Sequence, residues 1–310
     1  MRDYPGSTLY TESELEALAK PELQASALQA RAMELAAFIH WFIETEDIPP
    51  IAQRPGSDGL TGGLSLVGWS AGNLQTLTLL AHAAKVPEKT RTLLDSYFRS
   101  FFIYAANHTA LGEPAFEGLY SPFRDPTLTS VDAIVDRFLT WISSYYPQEE
   151  LAGEPSALGK KLIARASQEL HVTNPSVDPR WTPTVSRMSS DELKSITDND
   201  ALLRSQILLE GIQPSVYKEI IHSGLLDCYL TDESGTEKMI WPQLKVKIIW
   251  CDMDVGDVLW AAYKLRGISE EFIKKHGKGR SLEVLNFEKT NHFAHWDEPQ
   301  RFTEFIASVV

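Results

Sequence analysis

The pentapeptide Gly68-Trp69-Ser70-Ala71-Gly72 follows directly on the apolar run Leu64-Ser65-Leu66-Val67 and leads directly into Asn73-Leu74-Gln75-Thr76-Leu77. The first run reads as a short buried strand, and residues 73–84 read as a helix. Strand, abrupt turn and helix within so few residues leave the backbone little choice. A serine at so tight a reversal is held in a strained conformation, and small neighbours keep side chains from colliding as the chain doubles back. The turn lifts the hydroxyl above the strand end and aims it at a helix N-terminus. There the backbone N–H of Ala71 can face a developing negative charge. The pentapeptide alone arises often by chance; its place between a strand and a helix makes it specific.

A serine hydroxyl is a poor nucleophile at neutral pH and needs a general base, itself oriented by an acid. Two histidines lie just after the last strand-like run, in Thr290-Asn291-His292-Phe293-Ala294-His295-Trp296. His292 is the expected base and His295 the alternative. His40 and His82 fall within helical patterns, His108 follows the strand after the turn, and His171, His222 and His276 lie in the middle block or in loops. The acid is expected in Cys251-Asp252-Met253-Asp254-Val255-Gly256-Asp257, which follows the apolar run 246–251. Asp254 has the spacing to turn across the upper edge of a sheet, Asp252 is the alternative, and Asp257 is expected to cap the following helix.

At roughly 100–200 residues per domain, 310 residues allow two domains or one large domain with an insertion. The order of elements favours the second. Thr11-x-x-Glu14 forms a capping box ahead of a short helix, Pro21 interrupts it, and a longer helix is expected over 22–46. Pro49-Pro50 ends that helix, and a Pro/Gly/Ser-rich loop runs to Gly63. Phe101-Phe102-Ile103-Tyr104 reads as the next buried strand. From 112 to 241 there are helical patterns, among them 131–145 and 158–170, and no convincing buried strand. The alternation then resumes with a strand at 246–251, a helix at 258–265, a strand at 282–285 and a closing helix at 299–309. Alternating strands and helices imply an α/β fold, a mostly parallel sheet with helices on both faces. Residues 1–111 and 243–310 form its discontinuous core and 112–242 a helical insertion.

Composition narrows the function. A net charge of −13, from 29 Lys+Arg against 42 Asp+Glu, argues against nucleic acid or an anionic membrane as partner. Cys228 and Cys251 are the only cysteines, too few for a secreted disulfide scaffold, and Cys251 is expected to pack as a small hydrophobe. No run approaches the ~18 apolar residues of a membrane span, and Met1-Arg2-Asp3-Tyr4-Pro5-Gly6 has no signal-peptide character. The expectation is a soluble, cytoplasmic protein. No Cys/His cluster or phosphate loop calls for a metal or an organic cofactor.

Taken together these residues resemble the α/β-hydrolase superfamily, in its cap-bearing branch. Gly68–Gly72 is similar to the family's nucleophile elbow, Asp254 to its acid after the seventh strand, with Cys251 in place of a glycine. His292-Phe293 followed by Asp297-Glu298-Pro299 and Phe302 resembles its His-Phe…Glu-x-Pro-x-x-Phe ending. Asp3-Tyr4-Pro5-Gly6-Ser7-Thr8 resembles the turn after the fourth strand, with Pro where Arg is commoner. The resemblance implies a serine hydrolase, esterase-like, with catalytic Ser70, Asp254 and His292, an oxyanion contact from Ala71, an elbow of Gly68, Trp69 and Gly72, and a cap over 112–242. It implies a small apolar ester-like substrate under cap aromatics such as Trp141, Tyr145, Tyr146 and Trp181, although packing within the cap accounts for those rings equally well. It implies neither cofactor nor metal, and leaves the oligomeric state open. It also implies that the family's N-terminal strands are missing here, as in a truncated form. The family's His-Gly oxyanion loop has no counterpart, since the one His-Gly, His276-Gly277, follows no strand.

Overall fold

The computed structural model describes residues 2–310 other than 54, 55, 57, 58 and 175. Part of the loop expected up to Gly63 therefore lies outside the described residues. Near the N-terminus, Asp3 and Gly6 take positive φ (69° and 82°) in a turn closed by the Ser7 N–H on the Tyr4 carbonyl. The Asp3 carboxylate accepts from the Tyr10 backbone at 2.7 Å and from Arg204. Helix α1 (Glu12–Ala19) starts on the full Thr11/Glu14 capping box, and α2 (Pro21–Thr45) starts with Pro21 in its first turn, where a missing N–H costs nothing.

Four strands make one parallel sheet: β1 (Leu64–Trp69), β2 (Phe98–Tyr104), β3 (Lys245–Cys251) and β4 (Leu282–Phe287), side by side in chain order. After β1 come α3 (Asn73–Ala81) and α4 (Glu88–Tyr97), which returns the chain to β2. The central strands are mostly apolar because both faces are covered, with Arg99 and Ser100 on β2 and Lys245 and Lys247 on β3 as the polar exceptions. Phe101, Ile103, Val246, Ile248 and Trp250 share one core with Leu28, Ile39 and Ile43 of α2 and with Leu74 and Leu77 of α3. Phe102, Tyr104, Ile249, Cys251 and Phe287 point the other way, against the closing helix. Among the described residues β1 has no strand on its outer side, and Val67 is 40% exposed there.

Between β2 and β3 the chain is mainly helical: α5 (Val131–Ser143), α6 (Pro155–Arg165) and α7 (Pro214–Ile221) are its longest pieces, with a short antiparallel ribbon, Tyr229–Thr231 on Glu237–Met239. This block divides in its packing. Tyr217, Ile220, Ile221 and Leu225 enter the same core as α3 and the sheet, and the Cα of Gly224 rests on the α3 backbone, where a Cβ would sit 3.0 Å from the Ala81 nitrogen. Trp141, Ile142 and Tyr146 join the core on the opposite face. Two more helices complete the chain, α8 (Gly256–His276) after β3 and α9 (Pro299–Val309) after β4. Among the described residues no helix is long and apolar enough to cross a membrane.

Candidate active site

The turn after β1 has the strain that its sequence demands. Ser70 has φ +51°, a left-handed conformation that costs a non-glycine residue on the order of 1 kcal/mol. Two neighbours hold it. The Cα of Gly68 is pressed against the following helix so closely that a Cβ would lie 2.2 Å from Thr76 Oγ1 and 2.5 Å from Asn73 Oδ1. Asn73, fully buried, donates from Nδ2 to the Ser70 carbonyl (2.9 Å) and to the Tyr104 carbonyl at the end of β2 (3.0 Å). Gly72, by contrast, has helical φ, and a Cβ there would meet nothing. Ser70 to Gly72 form a 3₁₀ turn running into α3, so the Ala71 N–H belongs to a helix N-terminus.

The loops carrying Asp254 and His292, the expected acid and base, meet at the C-terminal ends of β3 and β4. Asp254 and His292 are both buried, and Asp254 Oδ2 lies 2.9 Å from His292 Nδ1. The other Asp254 oxygen accepts from the Val255 N–H at 2.6 Å. The loops are also joined through their backbones, Met253 N–H to the Thr290 carbonyl. Ser70 Oγ makes no hydrogen bond to the imidazole; the two are linked through Trp69, whose indole N–H donates to the His292 carbonyl at 3.1 Å.

Asp252 stands apart from the imidazole. One of its oxygens accepts from the Lys289 N–H (2.6 Å) and the other from Gln148 Nε2 (2.6 Å), so it braces the loops. His295 lies on the Trp69 ring (centroids 4.2 Å), with Tyr104, Phe293 and Phe302 around it. Burial, with the neighbouring His292, lowers its pKa to about 4, and its Nδ1 has no partner among the described residues. Asp257 does not cap α8, whose N-cap is Val255; its carboxylate instead takes His108 Nδ1 at 2.6 Å. Cys251 is buried with a free thiol whose pKa burial raises. His276 ends α8 and Gly277 is its left-handed C-cap.

Residues 143–149 lie across both loops. Tyr146 N–H donates to the Met253 carbonyl (3.0 Å), Glu149 N–H to the Asp252 carbonyl (3.1 Å), and Asn291 Nδ2 to the Ser143 carbonyl (2.6 Å). Asp297 collects Tyr145 Oη and Thr184 Oγ1, each at 2.7 Å, together with the Arg187 guanidinium. Tyr145 and Tyr146 are thus buried against the loops that carry Asp254 and His292, and Trp141 is buried in the same cluster as Tyr146. Arg165 completes this seam: it is buried, bonds the Asp252 and Pro147 carbonyls and lies over the Tyr146 ring. Burial lowers its pKa to about 10 against the pull of Asp254. Sequence reading missed Arg165 and Asn73. The signal for Arg165 is its place on the apolar stripe of α6, in line with Leu158 and Leu162; Asn73 carries none beyond its adjacency to the turn.

No protein-family model and no curated protein matches this chain. Among solved structures it is similar to a bromoperoxidase from Bacillus anthracis, at 11% identity and a TM-score of 0.33, over 99% of this chain and 78% of that one.

Proposed function

We propose that the protein is an α/β-hydrolase-fold serine hydrolase, esterase-like, that cleaves an ester or similar acyl bond of a small apolar substrate. The observation that carries this reading is the pairing of a left-handed Ser70 between a strand and a helix with a buried His292–Asp254 hydrogen bond at the same end of the sheet. Asp254 holds a proton on Nδ1 of the imidazole, leaving Nε2 as the base. Ser70 attacks the carbonyl carbon while His292 takes its proton, and the N–H of Ala71 receives the oxyanion at the positive end of α3. The imidazolium then gives its proton to the departing alcohol. Water, deprotonated by the same imidazole, releases the acid and restores Ser70. Residues 112–242 act as the lid, docked through 143–149 and Asp297.

One departure shapes the rate. β1 is an edge strand among the described residues, so no neighbouring strand brings a second N–H donor beside Ser70. Loss of one oxyanion donor costs on the order of 10²–10³ in turnover. Slow hydrolysis of p-nitrophenyl acyl esters, abolished in Ser70→Ala and His292→Ala, is the expected result. Equal rates in the wild type and Ser70→Ala would remove the proposal. The same open edge favours a second reading, a non-catalytic relative that binds a ligand under the lid. Its signature is a ligand-induced thermal shift without turnover.

A further inference from the structure

We infer that Trp69 and Tyr104 are positioning residues, a pair of donors at neighbouring strand ends that hold the His292 main chain in place beside the serine turn. Trp69 ends β1 and Tyr104 ends β2, and they are register partners across the sheet. Both side chains lie on the α9 face. Both face one acceptor, the His292 carbonyl oxygen: the indole N–H bonds it at 3.1 Å, and the phenol hydroxyl lies at 3.5 Å, a long and weak hydrogen bond.

The rings reinforce the hydrogen bonds. The Trp69 indole touches His292 and Phe293 (centroids 5.3 Å each) as well as His295, and the Tyr104 ring lies 5.2 Å from that of Phe302. Tyr104 is fully buried and burial raises its pKa well above the ordinary value, so the hydroxyl keeps its proton and remains able to donate. Trp69 and Ser70 are adjacent in the chain. The residue before the strained serine therefore sets where the histidine loop sits, and the separation between hydroxyl and imidazole follows from a fixed backbone. Asp254 orients the imidazole through Nδ1; this pair fixes the main chain that carries it. Reacting groups misplaced by about 1 Å lose on the order of 10²-fold in rate. The catalytic meaning of the pair rests on the proposed hydrolase reaction; the structural meaning does not.

Tyr104→Phe keeps the ring and removes the donor, Trp69→Phe removes the donor and leaves a smaller aromatic ring, and the double variant combines them. Trp296→Phe, on an exposed ring, is the control for loss of indole volume. The imidazole Nδ1–H proton of His292 is followed by NMR, assigned by its loss in His292→Ala, alongside kcat and KM on p-nitrophenyl acetate. The double variant is expected to melt cooperatively, to broaden or shift that resonance, and to lose about tenfold in kcat with KM within about twofold. The control leaves all three unchanged. A double variant with an unchanged Nδ1–H resonance overturns the inference, whatever the activity. A wild type without hydrolysis counts against the proposed reaction alone, because the resonance still reads the positioning.

Discussion

Asp254 Oδ2 and His292 Nδ1 are 2.9 Å apart, on side chains that are 0% and 2% exposed. A carboxylate so buried is held by its partners: the imidazole on one oxygen and the Val255 N–H on the other. Removing one partner of such a pair leaves the other unpaired in a dry site, which costs about 3–5 kcal/mol where the pair is ionic and less where the imidazole is neutral. Asp254→Asn keeps the shape and replaces an acceptor by a group that can donate, so His292 loses the partner that fixes its tautomer. Ester hydrolysis is expected to fall by on the order of 10⁴-fold, in line with the loss when a catalytic aspartate elsewhere is replaced. Asp252→Asn, which touches Gln148 and Lys289 rather than the imidazole, is expected to cost stability with a far smaller loss of rate. Parallel kinetics and melts of the two variants check this.

Gly68 and Gly72 are both glycines of one motif, yet only the first is held by space. An added methyl at Gly68 meets Thr76 Oγ1 and Asn73 Oδ1, whereas at Gly72 it meets nothing. Gly68→Ala is expected to destabilise by about 1–3 kcal/mol, the usual cost of overpacking. Gly72→Ala is expected to be neutral or slightly stabilising, since alanine favours the helical conformation already present. Denaturant midpoints of the two variants decide it.

Asn73→Ala removes both donors that tie the Ser70 and Tyr104 carbonyls together. The Ser70 carbonyl keeps the Asn73 backbone N–H, so the main cost falls on the buried Tyr104 carbonyl, about 1–3 kcal/mol. A loss below about 1 kcal/mol in chemical denaturation would mean that the Ser70 conformation does not depend on this bridge.

His295 supplies a pH signature. Its folded pKa, about 4, lies below the ordinary 6.5. Between those values the unfolded chain binds a proton that the folded chain refuses, so this residue makes stability fall as the pH drops through the window. A shift of that size corresponds to about 3 kcal/mol. His295→Phe, which suits the surrounding rings, is expected to reduce the loss of stability between pH 7 and pH 4 by about that amount. An unchanged acid limb would show that His295 is protonated readily in the folded state.

The seam between residues 143–149 and the two loops predicts a local effect. Asp297 is 4% exposed in its side chain and gathers donors from Tyr145, Thr184 and Arg187. Asp297→Ala is expected to speed proteolysis within 140–190 more than elsewhere, read by limited digestion and mass spectrometry.

Much of the sheet was legible in the sequence because a strand covered on both faces is a run of apolar residues, as in Phe101-Phe102-Ile103-Tyr104 and Val246–Cys251. The Thr11/Glu14 cap and the closing helix at Pro299–Val309 were legible from local chemistry. Helix α4 was not, since Glu88-Lys89-Thr90-Arg91 is polar and only Thr90 and Leu94 are buried. Helix α8 runs on to His276, past the expected end at 265, because Gly267 and Glu270-Glu271 hide its continuation. The placement of Asp254 beside His292 rests on spacing within each loop. The bond from Trp69 to the His292 carbonyl joins residues 223 apart, and no local pattern encodes it.

The most direct measurement is covalent labelling of the folded protein by a fluorophosphonate, followed by mass spectrometric mapping. One phosphonylated residue is expected, Ser70, with labelling lost in Ser70→Ala and strongly slowed in His292→Ala. A folded wild type that stays unlabelled, or a Ser70→Ala variant labelled as fast as the wild type, would contradict it.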